Sequence, residues 1–313
     1  MKLIREVSAL REALDEARSG QSTIGLVPTM GAFHEGHLSL MRRARTECEV
    51  VVVSLFVNPK QFEEASDLEA YQRDEHRDTA LARTAGVDFL FAPPVSELYP
   101  EGFATLVSVS GPGERLEGAH RGPGHFAGVA TVVIKLFNIV APDIAYFGQK
   151  DAQQVAVIKR VVRDLDLPVR VAVSPTVRTP DGLALSSRNA RLSAVDRGRA
   201  TALYRALRAA EQAIIAGERD AAAVVAAARE QLAPSGIEPE YLELVNPKTF
   251  APAQHLEGEV LAMVAASISG TRLIDNHLIR VPAEAEQSRA LAHDLTKQRP
   301  VPIGAATMLA GPS

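Results

Sequence analysis

Cysteine, aromatic residues and long apolar segments are scarce in this sequence of 313 residues, which has one cysteine, Cys48, and no tryptophan. A single cysteine cannot form a disulfide within the chain, and it excludes a metal site built from several thiolates. The longest apolar runs, such as residues 50–57, are far shorter than the roughly 20 residues that cross a bilayer. The first residues also lack the apolar core of a secretory signal. We therefore expect a cytoplasmic protein without a membrane span.

An excess of positive charge is also missing, because 38 acidic residues outnumber 34 basic ones and give a formal net charge of -4. Such a chain has no global basic field to hold a nucleic-acid backbone, so a small-molecule partner is favoured. Hydrophobic residues make up 46% of the chain and charged residues 23%, which is typical of globular proteins. At roughly 150 residues per domain, the length predicts two domains.

From residue 24, short β-branched runs alternate with longer helical patterns. The run at residues 50–57 is almost continuously apolar, as expected of a strand covered on both faces of a parallel sheet. Repeated βα units predict an α/β fold with an open, doubly wound, Rossmann-like sheet over residues 1–175. The predicted strands are residues 24–27, 50–57, 87–91, 144–147 and 169–173. The predicted helices are residues 38–44, 68–85, 129–140 and 153–165, with a glycine-rich loop at 111–124.

The pattern changes after a loop at residues 176–189. Residues 194–232 have helical spacing with one break at Ala216-Gly217, and three alternating runs follow at 241–245, 259–265 and 271–279. These runs predict a small antiparallel sheet and, with the helices, a C-terminal α+β cap domain over residues 176–281. Residues 282–313 show little periodicity and are expected to pack weakly or to be disordered.

The first predicted βα turn has the sequence Pro28-Thr29-Met30-Gly31-Ala32-Phe33-His34-Glu35-Gly36-His37. In an open α/β sheet, ligands bind at the carboxyl ends of the strands, where a helix N-terminus offers free N–H groups to an anion. The two histidines lie three residues apart, so they share one helix face and can donate hydrogen bonds to phosphate oxygens. Solvated capping histidines are the simpler alternative. A zinc pair is disfavoured, because its usual spacing is His-Glu-x-x-His.

Three further polar segments occur where strands or domains end. Lys150, in Gly148-Gln149-Lys150-Asp151, can bind a phosphate, although a lysine at such a turn can also be a solvated cap. The loop at residues 181–189 carries Ser186, Ser187 and Arg188, which can clamp a phosphate or cap the next helix. Residues 56–62 end a predicted strand and carry Asn58 and Gln61, whose amides can bind a polar substrate or simply form a turn.

Together these segments, in this order and over roughly residues 1–280, resemble the pantothenate synthetase family. The resemblance implies membership of the nucleotidyl-transferring superfamily with a His-x-Gly-His signature. It also implies a reaction in which pantoate and ATP form pantoyl adenylate and pyrophosphate, after which β-alanine displaces AMP to give pantothenate. The segments that carry the resemblance are residues 28–31, 34–37, 56–59, 148–151 and 185–189.

The resemblance also assigns residues to roles. His37 is expected to act as general acid, with His34 beside it on the phosphates, and the expected catalytic set also includes Lys150, Ser186, Ser187 and Arg188. Gln61 is expected to bind pantoate and β-alanine, Gln154 to bind pantoate, and Asn58 to contact substrate. Mg²⁺ is expected to accompany the phosphates, supported by Asp78, Asp151 or both, and a homodimer is expected. The implied ATP-binding residues are Met30, Gly31, Ala32, Phe33, His34, Glu35, Gly36, His37, Gly148, Gln149, Lys150, Asp151, Val177, Leu185, Ser186, Ser187 and Arg188.

Four positions depart from the family pattern. Gln149 stands where the family usually has Glu, Ala152 where an aromatic residue is common, and Gln72 where proline is usual; Gly122 is an apparent insertion. These changes flank the expected catalytic groups, so a related adenylate-forming ligase with a different acid or amine is an alternative. A second alternative, from another class, is a nucleotide-binding regulatory module without turnover.

Overall fold

A computed structural model describes residues 1–63, 68–69 and 71–283. Its main sheet has six parallel strands in the order β1-β4-β3-β2-β5-β6, which confirms the predicted α/β class. A second sheet has three antiparallel strands in the order β7-β8-β9. The strands are β1 Lys2–Ile4, β2 Ile24–Thr29, β3 Val50–Leu55, β4 Phe89–Phe91, β5 Ile144–Gly148, β6 Arg170–Ser174, β7 Tyr241–Val245, β8 Glu259–Ile268 and β9 Thr271–Arg280.

Helices cover the main sheet on both faces and pack on one side of the small sheet. Short 3-10 turns lie at Pro59–Gln61, Gln149–Asp151, Ser187–Arg191 and Ala233–Ser235. The helices are α1 Val7–Ser19, α2 Glu35–Glu47, α3 Glu75–Thr84, α4 Val95–Leu98, α5 Glu117–Arg121, α6 Pro123–Val140, α7 Ala152–Asp164, α8 Ala194–Ala200, α9 Ala202–Ile215 and α10 Ala221–Glu230.

The apolar strand β3 shows how the main sheet is covered. Val51 and Val53 pack with Met41 of α2 on one face, and Val52 packs with Phe137 of α6 on the other. Successive side chains of a strand point to opposite faces, so the three valines contact helices on both sides of the sheet, and all these side chains are buried. The doubly wound arrangement expected from this continuous apolar run is therefore confirmed.

The order of the strands creates a crevice at the carboxyl ends of β2 and β5. From β2 the chain moves to β3 and β4 on one side, while β5 and β6 lie on the other side of β2. Loops leaving β2 and β5 therefore diverge to opposite faces, and the crevice between them is where such sheets bind ligands. The predicted segments at residues 28–37 and 148–151 both leave the sheet at this point.

Several predicted boundaries were wrong. The alternation begins before residue 24, because β1 adds an edge strand and α1 buries Leu10 and Leu14 against the sheet. The helix predicted at 68–85 becomes regular only at Glu75, where the Asp74 side chain caps it by accepting from the Arg77 amide; residue 70 lies outside the described residues. The expected glycine-rich loop at 111–124 contains α5 and the start of α6, since Pro123 occupies a first-turn position that needs no N–H donor.

Helix α6 is long and apolar enough to cross a membrane by composition alone. However, 72% of it is buried within the fold, where it forms the core between α1, α7 and the main sheet. It is the one helix in the described part of the chain that meets this length and composition test.

The C-terminal part has its own apolar core, built from α8 to α10 and one face of the small sheet. The predicted break at Ala216-Gly217 falls between α9 and α10, and the three predicted strands are present. Since this core draws on residues from Leu183 to Val281, we propose the domain boundary near residue 175 that the sequence suggests. The predicted tail, residues 282–313, lies outside the described residues from 284 onward.

Candidate active site

One cleft at the carboxyl ends of β2 and β5 brings together most of the residues expected to act. Segments separated by more than 150 residues meet there because parallel strands present their carboxyl ends at one edge of the sheet. The second domain closes the cleft with Tyr241, Met263 and residues of β9. The expected residues that line it are Met30, His34, Gly36, His37, Asn58, Gln61, Gly148, Lys150, Asp151, Gln154, Val177, Leu185, Ser186, Ser187 and Arg188.

The two histidines form a reciprocal cap at the start of α2. The His34 ring accepts through Nδ1 from the Gly36 amide at 3.1 Å, and the His37 ring accepts through Nδ1 from the His34 amide at 3.3 Å. Gly36 is required by this cap rather than by ligand packing alone, because a Cβ there would lie 2.8 Å from the His34 ring. The capping alternative is thus correct for Nδ1, while the rest of each ring faces the cleft.

Both imidazoles are neutral near pH 7. Burial, together with the charge of Lys150, lowers the pKa of His34 to about 4, and burial together with His34 lowers the pKa of His37 to about 3. A neutral ring that accepts at Nδ1 carries its proton on Nε2. Each histidine therefore offers one Nε2–H donor to a ligand, and a bound polyanion would raise both pKa values.

Some residues of the first turn support the site without lining it. Asp78 is 1% exposed, and its carboxylate accepts from the Ala32 and Phe33 amides at 2.8 Å each. These bonds hold Ala32 at a positive φ of 53°, a conformation that non-glycine residues adopt only when the surroundings impose it. Gly31, Ala32 and Phe33 are buried in this turn, and their expected part in ATP binding stays a prediction.

Glu35 also lies away from the cleft. Its side chain is 52% exposed and pairs with Arg42 on the outer face of α2. Gln149 likewise turns out of the cleft and donates from Nε2 to Asn276 Oδ1 at 3.2 Å. The family resemblance placed both residues at the nucleotide, but the helical and turn geometry directs their side chains elsewhere.

Lys150 reaches the cleft from the 3-10 turn that follows β5. Its side chain is 16% exposed, and Nζ lies 3.7 Å from an Asp151 oxygen. Charge-assisted N–H···O bonds are usually about 2.7–2.9 Å long, so this pair is loose and leaves the ammonium donors available. The solvated-cap alternative for Lys150 is therefore wrong, since the side chain is mostly buried and faces the ligand cleft.

The Ser186-Ser187-Arg188 segment lines the same cleft as Lys150. Ser186 caps its own 3-10 turn by accepting from the Arg188 amide at 3.2 Å, whereas Ser193 caps the following helix. Burial lowers the pKa of Arg188, and the neighbouring Arg121 charge acts in the same direction. Like charges held this close in a buried cleft favour an anionic ligand.

Asn58 is buried beside Gln61, and its side chain makes four hydrogen bonds within the protein. Its Nδ2 donates to Gln61 Oε1 at 3.1 Å and to the Gly128 carbonyl at 3.0 Å, and its Oδ1 accepts from Tyr99 at 2.8 Å and the Lys60 amide at 3.3 Å. All its hydrogen-bonding capacity is used. Asn58 therefore orients the amide of Gln61, and its expected contact with substrate stays a prediction.

Sequence reasoning missed a charged cluster on the cleft wall. Glu117 accepts two bonds from Arg272, one from Arg121 and one from Tyr241. Burial alone would raise the pKa of Glu117, but these hydrogen bonds and positive charges lower it to about 2. The cluster joins α5 to the C-terminal sheet. No sequence motif signals it, because its members are far apart in the chain.

His125 is a second residue that sequence reasoning missed. It is 9% exposed, lines the cleft and donates from Nδ1 to the Gln61 carbonyl at 2.8 Å. Burial, assisted by the charge of Arg121, lowers its pKa from 6.5 to about 4. It lies in the first turn of α6, and its contact with Gln61 could not be read from the sequence.

The lowered pKa of His125 predicts a pH effect on stability. Between pH 6.5 and 4 the unfolded chain binds a proton at this position that the folded protein does not, so stability falls as pH falls through this window. His125→Asn keeps a donor for the Gln61 carbonyl and should flatten the dependence by up to about 1.4 kcal/mol per pH unit. Urea unfolding at several pH values measures the slope, with the exposed His76→Asn as matched control. An unchanged slope would contradict the assignment.

The fold and the cleft define an α/β enzyme with fixed donors for an anion beside amide groups for a small polar acid. A family model for pantoate-beta-alanine ligase matches residues 2–278. Pantothenate synthetase from Cereibacter sphaeroides is 52% identical over 275 residues, covering 88% of this chain and 98% of that protein. The chain belongs to the pantoate-beta-alanine ligase family.

Solved structures of relatives agree in fold. The pantothenate synthetase of Thermus thermophilus superimposes with a TM-score of 0.84 at 48% identity, covering 88% of this chain and 99% of that one. The pantoate-beta-alanine ligase of Francisella tularensis, solved with beta-gamma ATP and beta-alanine, gives a TM-score of 0.73 at 34% identity, covering 89% and 97%. Both relatives support the two-sheet architecture described above.

Proposed function

We propose that this protein condenses pantoate with β-alanine in an ATP-dependent reaction that yields pantothenate, AMP and pyrophosphate. The observation that carries the proposal is the convergence, in one cleft, of anion donors and amide groups. His34, His37, Lys150 and Arg188 provide the donors. The family of the chain and the ATP and β-alanine bound by the Francisella relative support the same reaction.

In the first step a pantoate carboxylate oxygen attacks the α-phosphorus of ATP. A P–O bond forms to the acid, the bond to the bridging oxygen breaks, and pyrophosphate leaves. Negative charge grows on the nonbridging and leaving oxygens, and donors already fixed around them stabilise that charge without reorganising. The Nε2–H groups of His34 and His37, with the charges of Lys150 and Arg188, are suited to this task.

His37 is proposed as the general acid of this step. In the ligand-free protein its imidazole is neutral, so it donates a hydrogen bond rather than a proton. A bound triphosphate places negative charge beside the ring and raises its pKa, which increases its capacity to protonate the leaving group. The cap from the His34 amide orients the neutral ring; a second proton would go on Nδ1, so the cap is released when His37 becomes an imidazolium.

Mg²⁺ fits this site only as a phosphate-bound ion. Both oxygens of Asp78 accept backbone hydrogen bonds, so Asp78 is not suited to hold it, whereas the Asp151 side chain is 51% exposed at the cleft. In the described parts of the chain, no group of three or more His, Cys, Asp or Glu residues could hold a metal ion. When bound, Mg²⁺ would neutralise phosphate charge, with Asp151 as its protein support.

In the second step the amine of β-alanine attacks the acyl carbon of the adenylate. The amine attacks in its unprotonated form; a C–N bond forms, the C–O bond to AMP breaks, and the nitrogen loses one proton to solvent as the amide forms. The protein contributes by holding the amine against the carbonyl, a proximity effect. Gln61 and Gln154 both line the cleft. Gln61 is proposed to bind pantoate and β-alanine and Gln154 to bind pantoate, with no covalent enzyme intermediate.

Release of AMP tests the function directly. Protein, MgATP, D-pantoate and β-alanine are mixed, and AMP is measured with each component omitted in turn. AMP formation that requires both acids is expected. If AMP appears only with another acid or amine from a substrate panel, the related-ligase alternative replaces the proposal; ATP binding without release of pyrophosphate supports a regulatory module.

A homodimer and a cytoplasmic location are also proposed. The family resemblance and the general prevalence of twofold oligomers support the dimer, and the scarcity of cysteine is compatible with a reducing compartment. Sedimentation velocity measures the oligomeric state, and a monomer at micromolar concentration contradicts that part of the proposal.

A further inference from the structure

We infer that Asn276, on strand β9 of the C-terminal domain, is a positioning residue that holds the turn carrying Lys150 in its phosphate-binding conformation. The inference rests on the proposed function of Lys150. Asn276 is 3% exposed and reaches from the small sheet to the turn that follows β5 of the main sheet. No local sequence pattern points to this residue.

The side chain of Asn276 binds two consecutive peptide groups. Its Nδ2 donates to the Gln149 carbonyl at 3.0 Å and to the Lys150 carbonyl at 2.8 Å. The orientation of the amide is fixed, because only the nitrogen can face two carbonyls. Its Oδ1 accepts from the Gln149 side chain at 3.2 Å, so the departure from the usual Glu at position 149 supplies a donor where a carboxylate has none.

These bonds act on the orientation of Lys150. The 3-10 turn at Gln149–Asp151 joins β5 to α7, and its peptide planes determine the direction in which the Lys150 side chain leaves the backbone. Misplacing a catalytic group by about 1 Å can cost on the order of 10²-fold in rate. A contact that fixes both carbonyls of this turn therefore bears on phosphate binding although Asn276 itself is not a proposed phosphate ligand.

The neighbouring residue Asp275 binds strand β9 to Arg178 next to Asn276. Asp275 is 3% exposed and accepts two bonds from Arg178, at 2.5 and 2.9 Å, and one from the Asn276 amide at 2.8 Å. The Arg178 guanidinium stacks 4.0 Å above the Tyr204 ring. Arg178 belongs to the loop that leads to Ser186, so the Asp275-Asn276 pair joins the C-terminal sheet to both phosphate-facing segments.

A double-mutant cycle on ATP affinity tests this inference. The dissociation constant for ATP is measured by calorimetry in wild-type protein, Asn276→Ala, Lys150→Met and the double variant. Because Asn276 acts through Lys150, its removal should weaken ATP binding about 10-fold in the wild-type background and less than about 2-fold when Lys150 is already absent. A residue with a merely structural role would give equal losses in both backgrounds.

Two further variants complete the experiment. Asn276→Ser retains one donor and should fall between wild type and Asn276→Ala, while Asn138→Ala removes an exposed asparagine of α6 and should leave ATP affinity unchanged. Equal losses in the two backgrounds, or wild-type affinity in Asn276→Ala, overturn the inference. The exchange of pyrophosphate into ATP is measured in parallel on wild-type protein. Its absence would count against the proposed function, whereas the cycle decides the role of Asn276 independently.

Discussion

Replacing Lys150 with Met is expected to lower kcat/KM for pantoate adenylation by about 10²-fold or more, the usual cost of losing one donor to transition-state charge. Met retains an unbranched apolar stem, so the packing of this mostly buried side chain is conserved while its charge is removed. The ammonium is held only loosely by Asp151, at 3.7 Å, and is therefore available to the phosphates. Pyrophosphate exchange dependent on pantoate measures the effect.

The matched control for this variant is Lys159→Met, which removes an exposed lysine from the neighbouring helix α7. Its exchange rate should equal that of the wild type. If Lys150→Met also exchanges pyrophosphate at a near-normal rate, Lys150 has no part in stabilising the phosphates, and the anion site must be assigned to His34, His37 and Arg188 alone.

His37→Asn is the second variant with a large expected effect, again a loss of about 10²-fold in adenylation. The amide oxygen of Asn lies near the place of Nδ1, so the cap on the His34 amide can persist while the Nε2–H donor to the ligand is removed. Melting temperature should therefore change little. His37→Gln has the opposite effect: its side-chain amide keeps an N–H donor near the position of Nε2 but loses the cap on the His34 amide. The expected loss of stability is about 1 kcal/mol.

The two substitutions separate the roles of one ring. The adenylation rate should be lower in His37→Asn, and the melting temperature lower in His37→Gln. The exposed His76→Asn on α3 is the control for the loss of a histidine. If Asn and Gln reduce the rate equally while both proteins melt like the wild type, the donor at Nε2 is not what His37 contributes.

Local patterns were sufficient for most of the fold. The continuous apolar run at β3 predicted the main sheet, because a strand buried on both faces lacks polar alternation. The small sheet was predicted from alternation, which β7 and β9 show; for β8 this was wrong, because residues 260–266 are all buried. Boundaries failed where a cap or a tertiary contact decided them. The N-terminus of α3 depends on the Asp74 cap, and the short β1 exists because it pairs with β4 at the sheet edge.

In the candidate site, too, features that depend on local sequence were predicted, and features that depend on tertiary contacts were not. Lys150 and the histidines follow strands whose carboxyl ends meet in any parallel sheet, so their shared location followed from the sequence order. For Asn58 and Gln149 the region was predicted, but their hydrogen-bond partners within the protein were not. Their side chains satisfy buried polar groups of Tyr99, Gly128 and Asn276, which no local pattern encodes.

The sequence by itself determined the α/β class, the sheet edge that bears the site, and the ordered motifs that place the chain in its family. These features depend on residue periodicity and on strand ends, which are local. Only the tertiary structure decided that both histidines are neutral donors, that Asp78 supports a turn, and that Glu117 and Asn276 join the two domains. Protonation, hydrogen-bond saturation and contacts between distant segments depend on burial and on distance in space, and neither is a property of neighbouring residues in the chain.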